Sequence, residues 1–407
     1  MIRILPFKAL VPSKNYDQVV PTLGSGKLAE SVLRKKAIEQ LHSYIRVVKP
    51  QYLDPSIEQG TEAFYTASRN HFNYLIENHI LERQENCFYY YNQIHHSGIH
   101  LSGWIVGVDA YNYLEGAVKK HENTLTGKEN RLIEHIRVLE SMGEPVLLTQ
   151  SLPVQLTSIA ENVVQNKPMI EITDEYNHVH QLWQISDWEM IHDVKTIFNH
   201  FESLYIADGH HRVASASRYL IENKPLETEK GFMALVMDEN DLLIKPFYRL
   251  LKNVDALSII QYLKENGIAF NEIQKSVHVE LEHGQVLCMS KDFKIIIHLE
   301  KAPNSLDAKE KLDVSRIESM IFKDLFGIND TSSDERISFL RGDHPINSID
   351  EQLTQNQIHL AFLFAPNTMK EIKDVADAGL IMPPKSTFIE PKLLTGMLIE
   401  DYSQDSN

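Results

Sequence analysis

Apolar positions along the chain change their period several times, and each change marks an element. From Lys27 to Val47 they recur at helical spacing, and from Ser56 to Gln84 a second helical run puts Ala63, Phe64, Ala67, Phe72 and Leu75 on one side. Aromatic and β-branched residues then crowd Cys87–Ile94 and Ile99–Val108 around Ser97-Gly98, the pattern of a hairpin. A charged helical segment from Tyr111 to Met142 breaks near Thr124–Gly127, and Gly143–Pro145 lead into a short strand at Val146–Thr149. Val179–Ile185 and Ser203–Ala207 read as strands, the latter followed by a polar cluster and a helix from Val213 to Asn223. Phe232–Met237 and Leu242–Pro246 flank the turn Asp238–Asp241 as another hairpin.

In the last third, strands are predicted at Val277–Leu281, Gln285–Met289, Lys294–Leu299 and Ile358–Phe364. Helices are predicted at Val254–Asn266, Val314–Phe326 and Met369–Ala378, the last ended by Gly379. No internal repeat is present. Strands and helices mix without regular βαβ alternation, so the expected class is α+β, with mixed sheets and helices.

Composition narrows the function classes. A chain of 407 residues with 43% apolar residues can bury real cores in two or three domains. No stretch approaches the roughly 20 apolar residues of a membrane span, and the opening apolar run is broken at Pro6, which argues against a secretory signal. A cytoplasmic protein without membrane partners is expected. Cys87 and Cys288 cannot build a disulfide framework, and neither has zinc-ligand neighbours. The net charge of −16 divides into +6 over residues 1–50 and −22 over the rest. That balance opposes nucleic-acid binding, while the basic front end suits a small anion or is a solvated helix face.

Chemistry concentrates at Tyr205–Arg212, where a strand passes into a helix through Asp208-Gly-His-His-Arg212. Asp208 is a candidate N-cap and Gly209 admits close approach of a ligand. His210, His211 and Arg212 add donors to a helix N-terminus that already favours anions. Together they outline a phosphate site. Gly24-Ser-Gly-Lys27 is not a P-loop, since Pro21 and Leu28 stand where that motif needs Gly and Ser or Thr. His95, His96 and His100 surround the predicted hairpin turn, and His178 and His180 form an H-x-H on a predicted strand. With 19 histidines in the chain and no matching carboxylate–histidine spacing, neither set is read as a metal site.

Two more polar clusters stand out. Lys120–Thr124 with Lys128–Arg131 is either a solvated helix with ion pairs or, if Glu122 turns toward the His-His-Arg turn, the source of a general base. Met382–Thr387 with Pro391-Lys392 is either a capped surface turn or a proline-stiffened loop presenting Lys385, Ser386 and Thr387.

With these stretches in hand, the chain resembles a bacterial and archaeal family labelled domain of unknown function ten-fifteen. The resemblance rests on Ile4–Phe7, His121–Thr124, Lys128–Arg131, Ile206–Arg212 and Met382–Thr387 through Pro391–Gly396, in family order. One element departs from it: the family's Pro-Pro-Tyr-Asp segment is here Asn15-Tyr-Asp17 after Ser13-Lys14. The Asp-Gly-His-His-Arg box is also similar to that of the ParB/sulfiredoxin superfamily, which binds nucleotide phosphates at this turn and includes kinases of free L-serine.

The resemblance implies a ParB/sulfiredoxin-like core and phosphoryl transfer to free L-serine, with pyrophosphate favoured as donor over ADP or ATP. It implies Glu122 as catalytic base, with His121 and Arg212 beside it, and phosphate contacts from Asp208, Gly209, His210, His211, Arg212, Lys385, Ser386 and Thr387. Thr124 and Arg131 are the expected serine contacts, and Mg²⁺ the expected ion, with Asp208 as its ligand. The expected division is 1–108, an N-terminal α/β region; 109–250, the phosphate-binding core; and 251–407, a C-terminal α+β region whose 382–396 segment returns to the site. Serine and the donor are the expected partners, and a homodimer is compatible with the sequence. The alternatives are a regulatory protein that binds nucleotide or phosphate without transfer, and a ParB-like DNA-binding or nuclease protein, which the acidic balance disfavours.

Overall fold

The computed structural model describes residues 1–24, 28–223, 229, 231–274 and 279–403. The chain divides into two compact units, Met1–Leu242 with Pro391–Asn407 and Leu243–Glu390, both of mixed α and β structure. The expected boundary at residue 108 does not exist, because the strand His100–Asp109 pairs along its length with Gly231–Asp238. Hydrogen bonding across that point makes one sheet of the first two expected parts.

Among the described residues the first unit is built on a twelve-stranded sheet. Its centre is the hairpin Leu81–Ile94 and His100–Asp109, with Tyr89 opposite Ile105 and Asn92 opposite Ser102. Phe88, Tyr89, Tyr91 and Trp104 are buried to within 2% of full exclusion, which explains why aromatic crowding made this hairpin legible. Leu81–Ile94 also pairs with Val179–Ile185, and Gly231–Asp238 runs parallel to Val146–Gln150. Leu204–Asp208 follows, antiparallel to Val146–Gln150, carrying the polar box to the sheet's end. On the other side Ile399–Asp401 pairs with Phe7–Pro12, and Ser141–Met142 forms the edge beyond it.

Several predicted elements shift. The helical run from Ser56 splits into a helix, Glu62–Glu77, and a strand that begins at Leu81 after His79 takes a positive φ of 55°. Outward-facing Glu82, Arg83 and Glu85 imitate the polar face of a helix. Lys27–Val47 likewise yields two helices, Glu30–Glu39 and Ile45–Val48, with Lys27 outside the described residues. Tyr111–Met142 holds a short helix, Ala110–Leu114, a strand at Val118–Lys119, a loop over 120–125, and the helix Thr126–Leu139. The hairpin across Asp238–Asp241 is not formed. Gly231–Asp238 stays in the large sheet, whereas Leu243–Lys245 pairs with Phe388–Glu390.

Among the described residues the second unit centres on six antiparallel strands, including Gln285–Met289, Lys294–His298 and Leu360–Phe364. Of the predicted strand Val277–Leu281, residues 277 and 278 lie outside the described residues, and 279–281 are not in a strand. The helix at Asp313–Ile317 continues as a π-helical turn, Glu318–Lys323. Arg249, almost wholly buried, meets Glu318 at 3.2 Å and donates to the carbonyls of Pro384 and Lys385 at 3.0 and 2.9 Å. A buried guanidinium needs such partners, so this contact fixes the 384–385 loop.

Glu400 is the most consequential buried acid of the first unit. It is 2% exposed and accepts from the Met233 backbone N–H at 2.7 Å and the Tyr402 hydroxyl at 2.6 Å. Burial raises its carboxyl to about 8, against the opposing pull of those two hydrogen bonds. Between the unfolded and folded values the native chain holds a proton that the unfolded chain releases, so stability declines as pH rises through that window. Glu400→Gln is expected to lose this decline, since the amide still accepts both bonds. Thermal melts of both proteins at about pH 5 and about pH 8.5 should show the variant gaining on wild type at the higher pH. A constant gap between them would refute the assignment.

Candidate active site

The polar box lies where the strand Leu204–Asp208 meets the helix His210–Asn223. Pairing with Val146–Gln150 slips between Ile206 and Asp208, and such an irregularity re-aims the side chains beyond it. Gly209 follows with φ of 98° and directly precedes the helix. His210 to Arg212 therefore form the helix's first turn, not a loop ahead of it. Asp208 faces two cations. Its Oδ2 meets Arg212 Nη2 at 2.9 Å and its Oδ1 meets Lys392 Nζ at 3.3 Å.

Arg212 is gripped from a second side. Its Nη1 lies 3.0 Å from Glu144 Oε1 and donates to the carbonyl of Pro145, while the other Glu144 oxygen accepts from the Thr395 hydroxyl at 2.9 Å. Lys392 and Thr395 belong to the returning segment at 391–396 and were not among the predicted site residues. Lys385, Ser386 and Thr387 belong to the second unit. There Ser386 spends its hydroxyl on the Pro383 carbonyl at 2.7 Å, and Lys385 adopts φ of 53°.

His121 and Glu122 reach the box through His210. The His121 backbone N–H donates to His210 Nε2 at 3.4 Å, the two rings meet edge to face at 4.5 Å, and His210 Nδ1 lies 3.5 Å from Glu122 Oε2. Both nitrogens of His210 thus serve contacts within the protein. Burial lowers His121 to about 4 and His210 well below the ordinary histidine value, with the nearby Asp208 opposing in each case. Both are neutral at pH 7. The Glu122 side chain is 58% exposed, so its carboxylate is open to a ligand.

On the His211 side a cavity of about 410 Å³ opens, lined by Lys49, Lys128, Arg131, His211 and Glu144 with Phe64 and Tyr65. Lys128 and Arg131 come from the helix Thr126–Leu139, which Ser215 and Arg218 tie to the box helix through Glu129 and Asn130. Among the described residues Lys49, Lys128 and Arg131 form no ion pair with a carboxylate, so the ion-paired reading of the Lys128–Arg131 cluster does not hold for these two cations. Burial lowers Lys49, with Glu30 opposing and Arg131 adding to the shift. His211 is lowered by burial and by Lys128, and its Nδ1 is buried without a partner. Such a hollow favours a polyanion. Glu122 and Thr124 do not line it, and Glu122 meets the turn through His210.

Asp208 does not fit the role of metal ligand. Each of its oxygens already faces a protein cation, and an ion there would meet Lys392 and Arg212. Positive charge for an anion comes instead from the lysines and arginine of the cavity.

The chain matches, over residues 4–315, the family described as "Protein of unknown function (DUF1015)", and it belongs to that family. No curated protein matches it. Among solved structures it is similar to a free serine kinase variant in complex with AMP, at 14% identity and a TM-score of 0.37, covering 68% of this chain and 85% of that one. It is also similar to SbnI with C-terminal truncation from Staphylococcus aureus, at 13% identity and a TM-score of 0.39, covering 74% and 90%. A conserved hypothetical protein from Pyrococcus furiosus matches at 15% identity and a TM-score of 0.33, covering 67% and 87%. No helix of the described residues is long and apolar enough to cross a membrane.

Gly209 offers a direct test of the turn. A Cβ there would sit 3.1 Å from the Arg212 guanidinium on a backbone of φ 98°. Gly209→Ala is expected to cost about 1–3 kcal/mol of stability, read from urea unfolding midpoints. An unchanged midpoint would show that neither the backbone nor the Arg212 clamp constrains this position.

Proposed function

We propose that the protein is a small-molecule kinase that transfers a phosphoryl group to the hydroxyl of free L-serine. One observation carries this reading: the Glu122 carboxylate stands 3.5 Å from His210 at the start of a helix whose next residue, His211, lines a cation-rich cavity. A base and an anion hollow then flank the same helix N-terminus, and phosphoryl transfer needs little beyond positioning and charge stabilisation. The resemblance of the Asp208–Arg212 box and the His121-Glu122 pair to free serine kinases selects serine as acceptor.

In this reading the donor phosphates occupy the cavity against Lys49, Lys128, Arg131 and His211, with the backbone N–H groups of the first helical turn facing them. Glu122 takes the proton from the serine hydroxyl as its oxygen bonds to the terminal phosphorus. The bond to the leaving phosphate breaks, and the cavity cations take up the charge left on it. His121 and His210, buried and neutral, are positioning residues that hold the Glu122 loop on the turn. Arg212 and Lys392 keep Asp208 neutralised, and Arg212 also fixes Glu144 at the rim. Thr124, beside Glu122, and Arg131 are the proposed serine contacts. Mg²⁺ enters only as the counter-ion of the donor.

The test is incubation with L-serine, Mg²⁺ and, separately, pyrophosphate, ADP or ATP, with O-phosphoserine read by mass spectrometry. Glu122→Gln should lower turnover by about 10²–10⁴-fold with the fold intact. Arg131→Gln should chiefly raise KM. Equal turnover of Glu122→Gln and wild type would sink the catalytic role. The exposure of Glu122 favours one competing reading, binding without transfer, because a base open to water is less committed to one proton. Donor-dependent thermal stabilisation with no phosphoserine formed would establish that reading instead.

A further inference from the structure

Three histidines that lie in two separate stretches of sequence come together at one end of the large sheet. His95 and His96 lie in the turn after Leu81–Ile94, and His178 immediately precedes the strand Val179–Ile185, whose first residue pairs with Ile94. One ligand nitrogen from each lies within 4.8 Å of the other two. His96 Nδ1 is 3.0 Å from His178 Nε2, and the His95 ring centroid is 4.1 Å from that of His96 and 4.4 Å from that of His178. We propose that His95, His96 and His178 bind one divalent transition-metal ion of the zinc type, independently of the proposed kinase site.

The surroundings of His178 are those of a metal ligand rather than of a packed core histidine. His178 Nδ1 lies between Asp174 Oδ2 at 3.3 Å and the Gln93 side-chain amide nitrogen at 3.0 Å, and with Nδ1 so occupied the ring presents Nε2 to His96. The same oxygen accepts from His180 Nε2 at 3.1 Å, and His180 Nδ1 takes the Tyr91 hydroxyl at 2.7 Å. Asp174 Oδ1 accepts the backbone N–H groups of Tyr176 and His178 at 2.8 and 2.9 Å. A carboxylate so fixed behind a ligand imidazole orients the ring and makes its free nitrogen a better donor. Aspartate, histidine and tyrosine therefore form a supporting layer for one of the three ligands.

The ligand set also selects the ion. Imidazole nitrogens suit zinc, copper, nickel or cobalt and not magnesium or calcium. Tetrahedral bonds of about 2.0–2.1 Å place ligand nitrogens about 3.3 Å apart, so the trio needs only small ring rotations to close on an ion. His95 and His178 are buried to 8% exposure, whereas His96 faces solvent. The fourth position then falls on the solvent side and is filled by water. Bound there, the ion would clamp the hairpin tip to the start of the adjacent strand.

The experiment is titration of the chelator-treated full-length protein with Zn²⁺ alone by calorimetry, with Co²⁺ absorption reporting geometry. Wild type should take up one ion tightly, give a tetrahedral Co²⁺ spectrum and melt at a higher temperature with Zn²⁺. His96→Ala, on an exposed side chain, should fold normally and lose at least about tenfold in affinity together with the Co²⁺ signal and the thermal shift. Asp174→Asn should weaken binding about 10–100-fold. Wild type that takes up no stoichiometric ion, or His96→Ala that keeps wild-type uptake, would overturn the site; the latter would assign the ion elsewhere among the 19 histidines.

Discussion

The candidate active site depends on one electrostatic constraint: Arg212 sits between two carboxylates, Asp208 and Glu144, which would repel each other and any anion without it. The constraint spans the chain. Asp208 also takes Lys392, and Glu144 takes Thr395, so the C-terminal segment, the turn before Val146 and the box helix are drawn to one point. Partly exposed ion pairs of this kind add modest stability singly. Their value here is geometric, because they lock the helix start from which His211 lines the cavity.

That constraint reassigns the basic residues. The histidine–arginine run reads at first as a set of phosphate-holding groups, yet Arg212 is committed to carboxylates and His210 to His121 and Glu122. Cations that form no ion pair among the described residues come from elsewhere: Lys49 after a short helix, and Lys128 and Arg131 from the helix packed on the box. The box builds the wall of the hollow, and neighbouring elements supply its charge.

How much of this was legible follows from how local each signal is. The hairpin around Ser97-Gly98, the strand Val179–Ile185 and the box strand carry their periods within their own residues, and they formed as read. The strand from Leu81 did not show its start, because its charged outer face also fits a helix until the pairing partners Phe7–Pro12 are known. Glu122 could be named from its polar cluster, and the resemblance then gave it a role, whereas Lys49 was visible only as one charge in a basic N-terminal stretch. The histidine trio was invisible for the same reason. His95 with His96 and His178 with Asp174 stand about eighty residues apart, and only the register of Val179 with Ile94 joins them.

The shape and lining of the cavity bear on the proposed donor. At about 410 Å³ it lies at the lower end of the range for small-molecule pockets. Its wall offers Lys49, Lys128, Arg131 and His211 against two aromatic rings, Phe64 and Tyr65, which pack edge to face on each other at 5.4 Å. A nucleobase gains from a ring presented flat for stacking, and these rings already use an edge and a face on one another. A compact donor carrying most of its charge on phosphate oxygens makes fuller use of such a wall than one whose bulk is a nucleoside. Under the proposed kinase reading, such a wall suits pyrophosphate as donor.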